Sequence, residues 1–270
     1  MPGQIKHKKL AMKVNTMAEM IASGQTPEVL FWVGCAGSFD QRAQKITKAF
    51  ATILDKAGVN YAILGKEEAC TGDPARRAGN EFMFQMMAYQ NIQILNGYSI
   101  KKIVTTCPHC FNILKNEYPV LGGNYEVIHH TQFLQELIEQ GKIKITDSNE
   151  WKGKSITYHD SCYLGRANEI YEAPRKVLES LDMELREMKR CKSKGLCCGA
   201  GGAQMFKEEE KGDKRVNRER ADEAIETKSD FVASACPFCN TMLSDGIKNR
   251  DEEVNTQVLD IAEMIAKAMQ

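Results

Sequence analysis

The feature that most constrains this chain is a repeat in its cysteines. Cys35 and Cys162 stand 127 residues apart, as do Cys70 and Cys197, and Gly72 and Gly199. The register then slips by two, and Cys107-Pro108-His109-Cys110 matches Cys236-Pro237-Phe238-Cys239. Self-similarity of this kind means two copies of one structural plan, so whatever layer the first copy builds the second builds too.

Each copy has the same pattern of elements. A β-rich run enters the first cysteine (VLFWVGC, 29–35; SITYHDSC, 155–162), and a helical stretch follows (QRAQKITKAFATILDKAG; ANEIYEAPRKVLESLD). In the first of these, Ile46, Ala49, Phe50, Ile53 and Ala57 recur at three and four residues and make one apolar face. A second helix precedes an apolar run ending in the CPxC pair (KKIVTTCPHC; SDFVASACPFC), and a final helix closes the copy. Strands alternating with helices predict an α/β fold of two tandem units, each a small, mainly parallel sheet flanked by helices. Cysteines at the C-terminal ends of two strands, with those of a Gly-rich loop, then converge on the edge where α/β proteins bind ligands. The polar stretch GKIKITDSNEWKGK (141–154) separates the copies, which divides the chain into an N-terminal helical extension (1–28), a first unit (29–148) and a second (149–270). Leu10, Val14, Met17, Ala18 and Ile21 have helical spacing within 5–23, predicting a helix packed on the first unit or docking a partner or membrane surface.

The stretch SKGLCCGAGG places Cys197 beside Cys198. Adjacent thiols rarely bond each other because the intervening peptide is strained, so each needs another partner. Ten cysteines accompany a balanced charge, 36 basic against 36 acidic residues, which suggests neither nucleic acid nor a strongly anionic membrane as partner. No apolar run reaches the length of a membrane span, and the start, MPGQIKHKKLAMKVN, has no signal-peptide core. The expectation is a cytoplasmic protein, where cysteines in this number bind metal or do redox chemistry. The second copy offers five thiols: Cys162, Cys197, Cys198, Cys236 and Cys239. The first offers four, Cys35, Cys70, Cys107 and Cys110, because Thr71 stands in register with Cys198. Four thiolates match one zinc or one cubane cluster, whereas a fifth has a use only where several metal atoms share the site.

The spacing of a cysteine, about 35 residues, CCG, just under 40 residues and CPxC resembles the cysteine-rich CCG domain. That domain occurs in the B-type polypeptide of heterodisulfide reductase, in the C-terminal part of the D-type polypeptide, and in glycolate oxidase, glycerol-3-phosphate dehydrogenase and lactate-utilisation iron–sulfur proteins. The resemblance covers residues 29 to about 250 and includes GDPARRAGNEF, TTCPHCFN and HDSCYLGR. It implies a non-cubane 4Fe–4S cluster on Cys162, Cys197, Cys198, Cys236 and Cys239, where a disulfide is reductively cleaved, or an electron relay towards quinone. On Cys35, Cys70, Cys107 and Cys110 it leaves a second 4Fe–4S cluster or zinc. It further implies a ferredoxin-type iron–sulfur subunit and a flavoprotein or membrane subunit as partners, with any membrane association made through them. The chain itself shows no ferredoxin cysteine run and no flavin or nicotinamide fingerprint. A zinc-stabilised adaptor is the alternative of a different class; a redox-sensing regulator would need a DNA-binding or signalling element, and the sequence has none.

Around these sets, His109 and His159 are placed to donate hydrogen bonds to cluster sulfurs or protons to a leaving thiolate, or simply to pack beside the site. Pro108 and Pro237 stiffen the loops after a ligand. Cys191, without a counterpart in the first copy, reads as a free thiol or as the holder of a mixed disulfide. Arg76, Arg77 and Arg166 ion-pair or attract an anion. GAGGAQMF lacks the context of a nucleotide loop, and the charged run 207–223 reads as a solvated loop and helix face.

Overall fold

A computed structural model describes residues 13–146, 149–208, 211–248 and 256–269. The first copy runs α1 (Met17–Ala22), β1 (Val29–Trp32), α2 (Gly34–Phe39), α3 (Ala43–Lys56), β2 (Tyr61–Ala62), α4 (Asp73–Arg77), α5 (Glu81–Gly97), β3 (Lys102–Thr105), α6 (Pro108–Asn112), β4 (Glu126–His129) and α7 (His130–Glu139). The second runs β5 (Ser155–Tyr158), α8 (Glu172–Glu179), β6 (Glu184–Leu185), α9 (Val216–Glu226), β7 (Phe231–Ser234), α10 (Pro237–Lys248), β8 (Gln257–Asp260) and α11 (Ile261–Ala268).

Each copy forms a four-stranded, wholly parallel sheet, in the orders β2-β1-β3-β4 and β6-β5-β7-β8. Every residue of β1 and β5 is buried, as parallel strands covered on both faces require. The strand order reverses between β1 and β3, and between β5 and β7, so the crevice beyond their C-terminal ends is the switch point of each sheet. Cys35 and Cys107 follow β1 and β3; Cys162 and Cys236 follow β5 and β7.

The amphipathic reading of α3 holds: Ile46, Phe50 and Ile53 are buried, with Ala49 and Ala57 packed against the core. In the second copy the helix starts later than expected, at Glu172, because the chain makes tight turns first, with Leu164 and Gly165 both donating to the Ser161 carbonyl. The expected N-terminal helix is shorter than 5–23. Thr16 bridges Ile63 and caps α1, which confines the helix to Met17–Ala22, while Leu10 and the rest of 5–12 lie outside the described residues.

The two copies interlock. The last helix of each packs on the first long helix of the other, α7 on α8 and α11 on α3, and one hydrophobic core runs through both. Arg42, at the N-cap of α3, grips Glu263 of α11 with two hydrogen bonds of 2.8 and 2.5 Å. At the seam, β4 and β8 end in equivalent helix caps, His129 and Asp260, each with a capping box. His130 joins them, its Nδ1 3.3 Å from His129 Nε2 and its Nε2 3.2 Å from Asp260 Oδ1, all three side chains fully buried.

Candidate metal centre

Local structure fixes the cysteines in matching ways. Gly72 and Gly199 both take left-handed φ, 89° and 91°, which turns the amide of each back on the sulfur two residues earlier. Gly72 N lies 3.4 Å from Cys70 Sγ, and Gly199 N lies 3.3 Å from Cys197 Sγ. A Cβ on Gly72 would come within 2.9 Å of the Phe84 ring, so the close packing also requires glycine. Cys107 and Cys236 stand two residues past their strands, and Pro108 and Pro237 then open α6 and α10, where a missing amide costs no hydrogen bond.

The four-cysteine and five-cysteine sets touch. Cys35 pairs with Cys70, Cys107 with Cys110, Cys236 with Cys239, Cys239 with Cys198, and Cys197 with both Cys198 and Cys162. Across the seam, Cys107 and Cys236 lie close enough for each thiol to act on the other's ionisation. The Cys35–Cys70 pair acts on Cys107 and Cys110 through its charge. All nine predicted sulfurs therefore form one row bridging the copies. Thr71, buried like Cys198, occupies the place of the tenth.

Within the row, three thiols are poised as thiolates. Donation from Cys35 brings Cys70 down to about 7, with the Gly72 amide assisting. Cys107 is held well below its usual value by the neighbouring thiols of Cys110 and then Cys236. Cys197 is lowered by Cys162 and Cys198 and by the Gly199 amide. Their partners Cys35, Cys110 and Cys162 are pushed up as the proton-holding members of each pair.

Polar side chains brace the row. His109 Nδ1 lies 2.9 Å from Asp73 Oδ2, and its ring stacks 4.3 Å from Tyr163 of the other copy. Burial pulls its pKa down, but the hydrogen bond to Asp73 and the neighbouring thiolates raise it overall. Asp73 also accepts from Arg77 Nε at 3.0 Å, and Arg76 and Arg77 both pair with Glu117. Arg166 donates to the Gly195 carbonyl at 2.5 Å, bracing the CCG loop. Cys191 stands apart from the row, with Glu187, Asp160 and Arg175 as its charged neighbours.

His159 lies within 4.8 Å of the Cys198 and Cys239 sulfurs. Its Nδ1 accepts from Arg220 Nε at 2.9 Å, which leaves the proton on Nε2, an atom with no hydrogen-bond partner among the described residues. Burial and then the Arg220 charge lower its pKa to about 3, so the ring is neutral. Arg220 corrects the solvated reading of 207–223. It is fully buried and also donates to the Arg190 carbonyl at 2.8 Å and to Glu223 at 2.6 Å. Asn217, Arg220, Ala221 and Ala224 share the buried stripe of α9, a spacing visible beneath the charges. A second residue unmarked by motif is Glu68. It accepts from the amides of Val33 (3.0 Å) and Gly34 (2.6 Å) and so holds the turn into Cys35, its pKa raised by burial to about 7.

Sulfur-only donors, three of them poised as thiolates, with amides aimed at Cys70 and Cys197, fit an iron–sulfur centre. Five thiols in the second set exceed what one tetrahedral zinc uses. The row borders a cleft of about 420 Å³ between the copies, lined by Cys35, Phe39, Met205, Phe206 and Phe238. No helix among the described residues is long and apolar enough to cross a membrane.

Comparison with known proteins agrees with the duplication. The cysteine-rich CCG domain matches twice, over residues 29–115 and 156–244. The chain is 42% identical over 99% of its length to an EtfAB:quinone oxidoreductase of Syntrophomonas wolfei, of which it covers 38%. It is 45% identical over 95% of its length to a probable iron–sulfur-binding oxidoreductase, FadF, of Bacillus subtilis, covering 36% of that protein. It is 36% identical over 90% of its length to the D-type polypeptide of the dihydromethanophenazine:CoB–CoM heterodisulfide reductase of Methanosarcina barkeri, covering 59%. The chain thus spans between about a third and three fifths of the curated relatives it matches. Its fold is similar to the crystal structure of a hypothetical protein from Helicobacter pylori, at a TM-score of 0.61 and 10% identity, over 91% of this chain and 49% of that one.

Proposed function

Because the chain belongs to the cysteine-rich CCG domain family and carries two copies of the domain, we propose that it is an iron–sulfur subunit of a multi-subunit oxidoreductase. Cys162, Cys197, Cys198, Cys236 and Cys239 would hold a non-cubane 4Fe–4S cluster, and Cys35, Cys70, Cys107 and Cys110 a second 4Fe–4S cluster or zinc. Bound there, such groups supply one-electron redox centres. The observation that supports this reading is the approach of both sets at Cys107 and Cys236, which would set two redox centres side by side.

The protein's own residues prepare and insulate that path. The Gly72 and Gly199 amides and the thiol donors stabilise thiolate at Cys70 and Cys197. Arg220 fixes the His159 tautomer so that an N–H is left for the Cys198–Cys239 sulfurs. His109, held by Asp73, lines the space between the copies and is placed to hold a proton for an acceptor there. An acceptor disulfide, as for the relatives named heterodisulfide reductase, takes two electrons and releases two thiolates, which need protons. The 42% identity to an EtfAB:quinone oxidoreductase favours a second reading, relay towards quinone. In either case the partners are an iron–sulfur protein of the ferredoxin type and a flavoprotein or membrane subunit.

The test is iron, zinc and acid-labile sulfide content of anaerobically purified protein, with EPR, repeated on Cys198→Ser. The expected outcome is about eight iron and eight sulfide per chain, or about four of each with one zinc, and a signal that Cys198→Ser alters. Zinc without sulfide, and no effect of the substitution, refutes the redox reading in favour of a structural adaptor.

A further inference from the structure

The duplication provides an internal control at the seam. Strands β4 and β8 are equivalent, and their last residues, His129 and Asp260, pair in register with Thr105 and Ser234 of the neighbouring strands. Each also caps the helix that follows. Asp260 caps well, its Oδ1 accepting from the Ala262 amide at 2.9 Å. His129 caps poorly: its Nδ1 is 3.5 Å from the Thr131 amide, and imidazole is not among the side chains that favour an N-cap. The turn itself does not call for histidine, since the second copy makes the same turn with aspartate.

The imidazole has a reach that a shorter cap lacks. Burial and then His130 hold its pKa well below the usual value, so the ring carries one proton. Nδ1 accepts from the Thr131 amide, which places that proton on Nε2. Nε2 faces His130 Nδ1 at 3.3 Å, and His130 Nε2 faces Asp260 Oδ1 at 3.2 Å, a strut of two rings from one copy to the other. The same His129 ring lies against the backbone of Thr106 in the first copy and of Ala235 in the second. Those two residues immediately precede Cys107 and Cys236, the sulfurs at which the two sets approach. Phe111, one residue past Cys110, adds an edge contact to the ring at 5.9 Å.

Resting on the electron-transfer reading above, we propose that His129 is a positioning residue: braced by His130 and Asp260, it fixes the separation of Cys107 from Cys236 and so the coupling of the two sets. It acts through the backbone in front of each cysteine. A site is only as precise as the packed and hydrogen-bonded groups that hold its ligands, and exchange of an electron between two centres falls steeply with their separation. One side chain that meets both copies at this point controls that separation more directly than any group within a single copy.

Two substitutions separate this role from capping. His129→Asn is the better cap but too short for the seam, whereas His129→Gln gives up the cap and keeps an N–H near the place of Nε2. The first readout uses the metal-free chain carrying Cys110→Ser and Cys239→Ser. Diamide there takes two electrons and two protons from Cys107 and Cys236 and leaves a disulfide, which forms only where the two residues are close; peptide mass spectrometry follows its rate. The expected result is a rate at least tenfold lower with His129→Asn and within about twofold of the parent with His129→Gln, the circular dichroism spectrum being unchanged. His130→Phe, which leaves both caps in place and removes the strut, should slow the reaction too. The second readout is the EPR spectrum of anaerobically purified, dithionite-reduced protein with all its cysteines, altered by His129→Asn and restored by His129→Gln. The reverse order, a slow Gln variant and a normal Asn variant, makes His129 a cap alone and overturns the proposal. Equal rates in all variants, or an Asn spectrum identical to that of the wild type, overturn it as well. Absence of any dithionite-reducible centre refutes instead the electron-transfer reading, while the diamide rates still decide whether His129 sets the separation.

Discussion

Replacing Arg220 by methionine tests whether a charge inside a charged run belongs to the core. The guanidinium is fully buried and serves three acceptors: His159 Nδ1, the Arg190 carbonyl and Glu223. Methionine fills the stem but leaves all three without this donor. Removing one partner of a buried ion pair costs about 3–5 kcal/mol. Arg190 still reaches Glu223 at 2.7 Å, so the carboxylate is not stranded and the lower end, about 3 kcal/mol, applies. For a chain of this size that corresponds to a fall in Tm on the order of 10 °C. Circular dichroism of the metal-free protein would measure it, and because one core runs through both copies a single transition is expected. The His159 pKa, now about 3, should also rise, because the cation that opposes its protonation is gone; its ring proton shifts in NMR follow this. Arg220→Lys keeps the charge but cannot serve three acceptors, and should recover only part of the loss. A Tm change under about 2 °C, the response of a solvated arginine, would refute the reasoning.

Two other outcomes follow from the geometry. In metal-free protein, alkylation of Cys70 by iodoacetamide should reach half its maximal rate near pH 7, because the thiolate accumulates as pH rises through about 7, and Cys35→Ser should displace that midpoint; peptide mass spectrometry reads the site. Gly72→Ala forces a side chain into φ of 89° against Phe84, so it should cost about 1–3 kcal/mol in urea unfolding, whereas Gly122→Ala, with open space around its Cβ, should cost less.

Much of this was legible in the cysteine register. Equal spacing at Cys35/Cys162 and Cys70/Cys197 specifies equivalent positions in two sheets, and apolar runs before Cys107 and Cys236 specify strands ending at a switch point. Spacing describes each copy separately, however, and says nothing of how the copies face each other. The Cys107–Cys236 contact and the exchange of α7 and α11 arise from faces that pair only once both sheets exist. Arg220 was hidden for another reason. Its phase on α9 matches Ala221 and Ala224, but residue type outweighed phase, since arginine is seldom fully buried without partners and two of its three, His159 and the Arg190 carbonyl, lie far off in sequence. Glu68 was hidden likewise, because the groups it accepts from are backbone amides 34 and 35 residues earlier.

The exchanged helices make the chain equivalent to a twofold homodimer whose halves have been joined end to end. In a true homodimer every substitution is imposed at both sites, because the same gene supplies both. Covalent joining lifts that constraint. Thr71 can replace a thiol in one half while Cys198 keeps it in the other, and α5 can shed its charges while α9 retains them. Two halves built to one plan are thereby free to diverge, one giving up a thiol and the other keeping the full set.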